Sequence, residues 1–516
     1  MTSLTSYLCA NCLKCARQFN PISKSAMLPR DALLLSLSLI FHTLGVISQA
    51  QVIDSVCSRI SHVISNSSQI FLPGDPTYEK DILHSASSST QRSKCVVEAG
   101  SPSDIAKILA VIRATRSPFA VKGGGHAMNP GFSSTPGVHI SMARFSEVTY
   151  HAAQQTVDLG AGLIWDDVYS ALEPFNVSAL GGRVTGIGVA GFTLGGGYAW
   201  KSNQHGLAVD NVVAYELVTP NGKIVNVTHD SDPQLFFGLK GGFNNFGIVT
   251  KFTVKAFPQT QVWGGVILSQ ESTIPAVSAA TTKFQTEVKD PKAAIIIGYT
   301  YVAQLQQTLV SQILFYDAPT PPEGIFDDFL AIPAATTDIS TRSFLSLVQS
   351  SPGVSGIPTR GMYEGISIVQ ATPEVLDTLV NETQFWGATL QNKTSLMLSY
   401  DVELFLPTLY SHNTEQTAYP PVRTIPFQPF NIAYSWNSSE FDSDFHEAIL
   451  ASAAHIRQKT IEQGQTQLEN VPTYPNYAAL GTPLQAMYGA NIPALRQLKA
   501  RVDPDNVMGL AGGWKF

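Results

Sequence analysis

The segment VKGGGHAMNPG, residues 121–131, places three consecutive glycines directly before His126. Glycine lacks a side chain, so a run of glycines lets another group approach the backbone closely. The histidine that follows either contacts that group or caps the loop. The segment therefore predicts a loop that binds a ligand or packs tightly.

A second glycine-rich stretch lies between residues 181 and 197. Apolar residues such as Ile187 and Val189 separate its glycines, and exposed loops are seldom apolar, so a pair of flexible surface loops is the weaker interpretation. Both loops indicate backbone that passes close to a large flat or phosphorylated group, or close to another backbone. The eight glycines are Gly181, Gly182, Gly186, Gly188, Gly191, Gly195, Gly196 and Gly197.

Two known phosphate-binding motifs could account for these loops. The P-loop pattern G-x-x-x-x-G-K-[ST] does not occur in the sequence. The segment GIGVAG, residues 186–191, matches the dinucleotide fingerprint, and Asp210 follows about twenty residues later. However, no β-branched strand precedes it and no amphipathic helix follows, so a nicotinamide site is not expected.

Length and composition indicate a folded, globular protein of two domains. The chain has 516 residues, which is too many for one simple core. Hydrophobic residues make up 44% and charged residues 14% of the chain, as in globular rather than disordered proteins. The net charge is −7 and no stripe of Lys and Arg is present, so no nucleic-acid partner is expected.

The N-terminal 50 residues resemble a signal peptide. Residues 32–50 form an apolar run after Arg30, and the small residues Ser48 and Ala50 predict cleavage before Gln51. A retained membrane anchor is the alternative, and Met27 is an alternative start. After cleavage we expect a secreted or secretory-pathway protein with no membrane contact.

The cysteines agree with an oxidising compartment. Cys9, Cys12 and Cys15 precede the predicted cleavage site and lack a second ligand cluster, so no metal site is expected. The remaining pair, Cys57 and Cys95, predicts one disulfide. Six N-x-S/T sequons also suit secretion: Asn66, Asn176, Asn226, Asn381, Asn392 and Asn437.

Hydrophobic periodicity predicts an α+β protein. From about residue 93 to 258, strands at 94–100, 118–126, 155–162 and 246–257 alternate with helices at 101–118, with Ser103 as the possible N-cap, and 164–175. The segment 212–228 predicts a hairpin with its turn at Asn221-Gly222. Strands at 293–302, 308–317 and 395–407 and helices at 442–463 and 492–502 follow.

Seven segments in one order resemble the FAD-linked oxidoreductases of the vanillyl alcohol oxidase, or PCMH, type, and among them the berberine bridge enzyme-like group of fungal secondary metabolism. The resemblance covers about residues 90–258 and 474–507. The segments are FAVKGGGHAMNPGFSS (119–134), GAGLIWDDVYSAL (160–172), GIGVAGFTLGGGYAW (186–200), QHGLAVDNV (204–212), LFFGLKGGFNNFGIVTKF (235–252), YPNYAAL (474–480) and LKARVDPDNV (498–507).

This resemblance implies a two-domain PCMH-type FAD-binding fold. The FAD-binding domain would span residues 51–258, with its core at about 90–258, and residues 480–516 would return to it. Residues 259–479 would form an inserted substrate-binding domain with an antiparallel sheet covered by helices.

The resemblance also implies that FAD is bound covalently through His126 at the flavin 8α carbon. Many relatives carry a second tether through a cysteine, where this chain has Val184, so we predict a single covalent link and a substrate smaller than an oligosaccharide. Ile187 aligns with a position that gates oxygen. The other predicted FAD contacts are Lys122, Gly123, Gly124, Gly125, Ala127, Gly131, Thr185, Gly186, Gly188, Gly191, Gly195, Gly196, Val249 and Asn476.

Family positions suggest Tyr198, Tyr474 and Tyr477 as the catalytic residues, with Tyr198 preferred as the base. In the strand 395–407, alternation places Asp401 and Glu403 on one face, where one carboxylate could instead be the base and a solvated face is the alternative. His205 is interpreted as structural.

The predicted activity is hydride transfer from a small organic substrate, an alcohol of secondary metabolism, to flavin N5, with reoxidation by O₂ to H₂O₂. A Diels–Alder-type cyclisation could follow in the same pocket. The alternatives are a carbohydrate, amine or alkaloid oxidase, a dehydrogenase with another acceptor, and a non-catalytic secreted flavin-binding glycoprotein. We expect a monomer.

Overall fold

The computed structural model describes residues 54–351 and 359–516. The predicted signal peptide, Met27 and the three N-terminal cysteines lie outside these residues. The described residues form one compact unit that mixes helices with largely antiparallel sheets, so the predicted α+β class is confirmed. The predicted domain boundaries stay predictions.

The first sheet has four strands in the order β1-β2-β4-β3, with β2 and β3 parallel to β4. The helix α3 crosses between β2 and β3, as predicted. Its N-cap is Ser101 rather than Ser103, because Ser101 accepts from Asp104 N and Pro102 begins the helix. The elements are α1 Ser55–Ser61, β1 Gln69–Phe71, α2 Pro76–Asp81, β2 Cys95–Glu98, α3 Pro102–Thr115, β3 Phe119–Lys122 and β4 Val138–Ser141.

A disulfide joins Cys57 of α1 to Cys95 of β2, as the sequence predicts. It fixes the first helix of the described chain to the first sheet.

The second sheet has five antiparallel strands in the order β5-β6-β10-β8-β9. The predicted hairpin joins β8 and β9, and Gly222 adopts a φ of +85° in its turn. The elements are β5 Val148–His151, β6 Thr156–Gly160, α4 Trp165–Leu172, β7 Val177–Ser178, α5 Val189–Leu194, α6 Ser202–His205, β8 Val212–Val218, β9 Ile224–Val227, α7 Pro233–Leu239, β10 Ile248–Lys255 and β11 Phe257–Pro258.

The third sheet has seven antiparallel strands in the order β15-β12-β14-β13-β17-β18-β16. Helices α8, α11 and α12 cover one face of it and form a hydrophobic core with Tyr400, Val402 and Leu404. The elements are β12 Val262–Gln270, α8 Ile274–Glu287, β13 Ala293–Val302, β14 Gln307–Tyr316, α9 Asp327–Leu330, β15 Thr336–Arg342, α10 Phe344–Ser350, β16 Arg360–Ile368, α11 Pro373–Leu390, β17 Ser395–Leu404, β18 Gln428–Trp436 and α12 Asp442–Glu462.

The last two helices, α13 Leu484–Tyr488 and α14 Ile492–Val502, lie against the N-terminal half of the protein. Arg501 of α14 pairs with Asp232, the N-cap of α7, at 3.0 Å. Across the described parts of the chain, none of the helices has the length and apolar character that a membrane crossing requires.

Candidate functional site

The two glycine loops lie against each other. A Cβ atom on Gly124 would be 2.5 Å from Gly188 Cα, and one on Gly188 would be 2.6 Å from Gly124 N. Both neighbours are backbone atoms, so no side-chain rotation could relieve such a contact. These two glycines therefore serve the packing of one backbone on another.

The first loop also carries unpaired hydrogen-bond donors. The backbone N–H groups of Gly123, Gly124 and Gly125 donate to no residue in the described part of the chain. Backbone donors without a protein partner are rare away from water, and neighbouring N–H groups of this kind form a site for an anion.

A cavity of about 510 Å³ lies between these loops and the seven-stranded sheet, called the large sheet below. The walls on the loop side come from both glycine loops and from the segment 474–478, and the opposite wall is the helix-free face of the sheet. Most of the predicted site residues line it: Gly123, Gly124, Gly125, His126, Ala127, Val184, Ile187, Gly188, Gly191, Tyr198, Val249, Tyr474, Asn476 and Tyr477.

Six predicted FAD contacts do not line the cavity: Lys122, Gly131, Thr185, Gly186, Gly195 and Gly196. The Lys122 side chain lies beneath the first loop, where its Cε is 2.5 Å from the Cβ position of Gly125. Gly195 makes room for the side chain of Asn476, and Gly196 makes room for the rings of Tyr419 and Tyr474.

Asp166 fixes the turn that precedes GIGVAG. Its Oδ1 accepts from Thr185 Oγ1 at 2.6 Å, and its Oδ2 accepts from Gly186 N at 2.9 Å. The residue lies in the first turn of α4 and was not identified from the sequence. The one sequence feature that could have identified Asp166 is its position in the segment WDD, residues 165–167.

His126 forms part of the cavity wall and its ring stacks with that of Tyr363 at a centroid distance of 6.2 Å. Burial lowers the pKa of His126 to about 4. The imidazole is therefore neutral at physiological pH, and one of its nitrogens carries a free lone pair.

Asp401 and Glu403 line the cavity from β17, whereas Tyr400 and Val402 point into the helix layer. The predicted alternation is therefore confirmed, and the carboxylate face is the cavity face rather than a solvated surface. Burial raises the pKa of Asp401 to about 7. Asp401 can thus both accept and release a proton near neutral pH.

Glu403 is bound on both oxygens. Its Oε2 pairs with Arg183, and its Oε1 accepts from Tyr477 Oη at 2.8 Å. Arg183 also donates to Tyr477 Oη at 2.9 Å. Arg183, Glu403 and Tyr477 are thus each bonded to the other two, and the charges of Arg183 and Glu403 neutralise each other inside the protein. The sequence did not predict this set of contacts.

Of the predicted catalytic tyrosines, Tyr198 and Tyr474 are buried and Tyr477 is half-buried. Tyr198 Oη lies 2.8 Å from Tyr410 Oη and 3.0 Å from Tyr419 Oη. Burial raises the pKa of Tyr198 well above its usual value, and that of Tyr474 to about 12. Tyr198 is therefore protonated near neutral pH, whereas the Asp401 carboxyl ionises there, and the choice of Tyr198 as the base stays a prediction.

His205 stacks on Phe257 with a centroid distance of 3.8 Å, in agreement with its structural interpretation. No cluster of three or more His, Cys, Asp or Glu side chains that could hold a metal ion occurs within residues 54–351 and 359–516.

The residues present fit FAD. Unpaired N–H donors suit its pyrophosphate, and the neutral imidazole of His126 borders the same cavity. A Cβ atom added to Gly191, which also lines the cavity, would meet no atom within 4 Å.

Comparison with known proteins agrees with this fit. A family model described as an FAD binding domain matches residues 93–228, and one described as berberine and berberine like matches residues 473–511. The FAD-dependent monooxygenase tpcD of Cochliobolus heterostrophus is 30% identical over 442 residues, which cover 82% of this chain and 84% of that protein. The chain belongs to the berberine bridge enzyme-like family of FAD-linked oxidoreductases.

Other similar proteins align over different lengths. The FAD-dependent monooxygenase drtC of Aspergillus calidoustus is 36% identical over 288 residues, so the match spans 54% of this chain and about half, 55%, of that protein. The carbohydrate oxidase from Microdochium nivale shares the fold, with a TM-score of 0.71 and 19% identity over 88% of this chain and 97% of that chain.

The two matched regions of this berberine bridge enzyme-like protein meet at the cavity. The FAD binding domain match contains both glycine loops and His126, and the berberine-like match contains Tyr474, Asn476 and Tyr477. The predicted family, enzyme class and cofactor FAD are therefore confirmed.

Proposed function

We propose that this enzyme oxidises a small neutral alcohol, with Asp401 as the group that accepts the hydroxyl proton. The observation that carries the proposal is the Asp401 carboxylate on the cavity wall opposite the glycine loops. FAD, when bound, supplies the hydride acceptor, which O₂ reoxidises with formation of H₂O₂.

The charges of the cavity support a neutral substrate. Among the described lining residues, Arg183 is the one permanent cation, and it is already paired with Glu403. His126 is neutral because burial lowers its pKa to about 4. No free cation therefore compensates a carboxylate or phosphate on the substrate, and burying such a group unpaired would be costly.

Asp401 suits the removal of a hydroxyl proton. One of its oxygens, Oδ1, accepts from Ser399 Oγ at 2.7 Å, and Oδ2 has no hydrogen-bond partner within the described residues. Apolar side chains from the sheet, including Val266, Ile296 and Ile313, surround the polar groups and can exclude water from the reacting atoms.

We further propose that His126 is the single covalent attachment point. Its neutral nitrogen is a competent nucleophile, and Val184 on the same wall has no thiol for a second link. The test is the absorbance spectrum of acid-precipitated protein together with its intact mass. Wild-type protein should keep its yellow colour and carry one FAD mass, and His126→Ala should lose both; retention by His126→Ala would refute the linkage.

The substrate is tested by anaerobic screening of the holoenzyme with neutral alcohols and their carboxylic acid counterparts. We expect bleaching of the flavin absorbance by an alcohol and none by the matched acid. Asp401→Asn should lower the rate of bleaching by at least about 100-fold, the typical contribution of a general base. An unchanged rate in Asp401→Asn would refute the assignment of the base, and reduction by none of the alcohols would favour a non-catalytic flavoprotein.

Monooxygenation is the second candidate, because relatives such as tpcD are named FAD-dependent monooxygenases. Turnover under ¹⁸O₂ separates the two. An oxidase forms labelled H₂O₂ and an unlabelled product, whereas a monooxygenase transfers label to the product. NMR analysis of the same product would also detect cyclisation, which changes the connectivity and not the mass and which we propose as a later step in the pocket.

We also propose that the protein passes through the secretory pathway. The disulfide between Cys57 and Cys95 supports this. All six sequon asparagines are exposed, namely Asn66, Asn176, Asn226, Asn381, Asn392 and Asn437. Protein from the native host should lose mass on enzymatic removal of N-glycans and begin near Gln51; an unglycosylated chain that retains residues 1–50 would refute the proposal.

A further inference from the structure

Asp401 lies in a row of residues that crosses the cavity face of the large sheet. Gly298 of β13 is directly opposite Asp401 on one side and Ser311 of β14 on the other, and Asn431 of β18 is the next neighbour of Asp401. A Cβ atom on Gly298 would lie 2.6 Å from Ser311 Oγ and 2.8 Å from Asp401 Oδ1. The carboxylate therefore occupies space that any residue other than glycine would fill.

Two hydroxyl groups hold this carboxylate from the adjacent row. Ser399 Oγ donates to Asp401 Oδ1 at 2.7 Å, and Ser399 Oγ and Thr300 Oγ1 are 2.8 Å apart. Because the Ser399 proton is directed at the carboxylate, Thr300 is the donor between the two hydroxyls. The hydrogen bonds from Thr300 through Ser399 end on one oxygen of Asp401, and the other oxygen has no hydrogen-bond partner among the described residues.

We propose that Ser399 is a positioning residue that orients Asp401 and stabilises its ionised form. Thr300 supports Ser399 by a hydrogen bond, and Gly298 leaves space for the carboxylate. The inference rests on the proposed function for the role of Asp401 as proton acceptor. The orientation and ionisation of the carboxylate are properties of the protein and can be measured without a substrate.

Other charged and titratable groups also face Asp401. Burial raises its pKa, the Ser399 hydrogen bond lowers it, Glu403 on the same strand raises it and Arg183 lowers it. Tyr363 of β16 and Tyr477 lie on the same cavity wall, and burial raises the pKa of both, so they remain uncharged near neutral pH. Of these groups, Ser399 is the one that donates a hydrogen bond directly to Asp401.

The test is infrared difference titration of the holoenzyme between about pH 5 and pH 9, which follows the C=O band of protonated carboxyl groups. The component that disappears in Asp401→Asn identifies Asp401, and in wild-type protein it should titrate near pH 7. In Ser399→Ala it should move up by about one pH unit, because a hydrogen bond to a charged group is lost. Thr300→Val should move it in the same direction by less, and Ser399→Thr should restore the wild-type value.

Ser311→Ala is the matched control. It removes a serine hydroxyl from the same row of the cavity, but Ser311 donates no hydrogen bond to Asp401, so the titration should stay at the wild-type pH. The inference would be overturned if the Asp401 band of Ser399→Ala titrated at the wild-type pH. It would also be overturned if the band of Ser311→Ala shifted by as much as that of Ser399→Ala. Activity retained by Asp401→Asn would refute the proposed function alone, because it leaves the titration of the wild-type carboxyl unchanged.

Discussion

The two glycines Gly124 and Gly191 border the same cavity, but the structure gives them different tasks. At Gly124 an added Cβ lies 2.5 Å from the backbone of Gly188, and an ordinary contact begins at 3.4 Å. The Gly124→Ala change must therefore separate two backbone segments by about 0.9 Å. Over-packing of this kind typically costs about 1–3 kcal/mol, and here no flexible side chain can yield.

At Gly191, which lies within α5, the added methyl group meets no atom within 4 Å. Alanine is favoured over glycine in a helix by about 0.5–1 kcal/mol, so Gly191→Ala should not destabilise the protein without cofactor. The methyl group projects towards the cavity, however, and should hinder the binding of FAD.

The assay combines the melting temperature with the ratio of flavin to protein absorbance, for holoenzyme and for protein expressed under riboflavin limitation. Gly124→Ala should melt below the wild type in both forms. Gly191→Ala should melt at or above the wild type in the flavin-poor form and contain less flavin when FAD is supplied. A wild-type melting temperature for Gly124→Ala would contradict the packing argument, and full flavin content in Gly191→Ala would contradict the assignment of that space to the cofactor.

Three further predictions concern two buried carboxyl groups and the disulfide. Glu403→Gln leaves the Arg183 cation buried without its carboxylate and should reduce the free energy of unfolding by about 3–5 kcal/mol in urea titrations; a double change with Arg183→Gln should recover part of this loss. Replacement of Cys57 and Cys95 by alanine removes the cross-link of a loop with a sequence separation of 38. The free energy of unfolding should fall by about 4 kcal/mol, because the unfolded chain gains loop entropy. The melting temperature of this variant should be lower than that of the wild type and should not change when reductant is added. The folded-state pKa of Asp401, about 7, is above the ordinary value of 3.8, so its ionisation opposes folding, and wild-type protein should lose stability as pH rises between these values. The stability of Asp401→Asn relative to wild type should therefore grow across this window and stay constant above it, and an advantage that is equal at low and high pH would refute the shift.

Local patterns in the sequence predicted part of the secondary structure around the site, but not the strands β12, β16 and β18, which also line the cavity. The hairpin at Asn221-Gly222 and the alternation along β17 follow from turn chemistry and from the two-residue period of a strand, which act over a few neighbours. The glycine loops were recognisable for the same reason, because their composition shows that the backbone itself is the contact surface, whereas the predicted role of His126 came from the family resemblance.

The tertiary structure alone decided how these pieces work together. Glu403 and Arg183 are separated by 220 positions in the chain, so no local pattern could pair them. The same holds for Ser399 with Thr300, and for Gly124 with Gly188, whose contacts depend on strand register and on the docking of two distant loops. Burial raises the pKa of Asp401 to about 7, because the cost of desolvating a charge depends on what surrounds it and not on its neighbours in sequence.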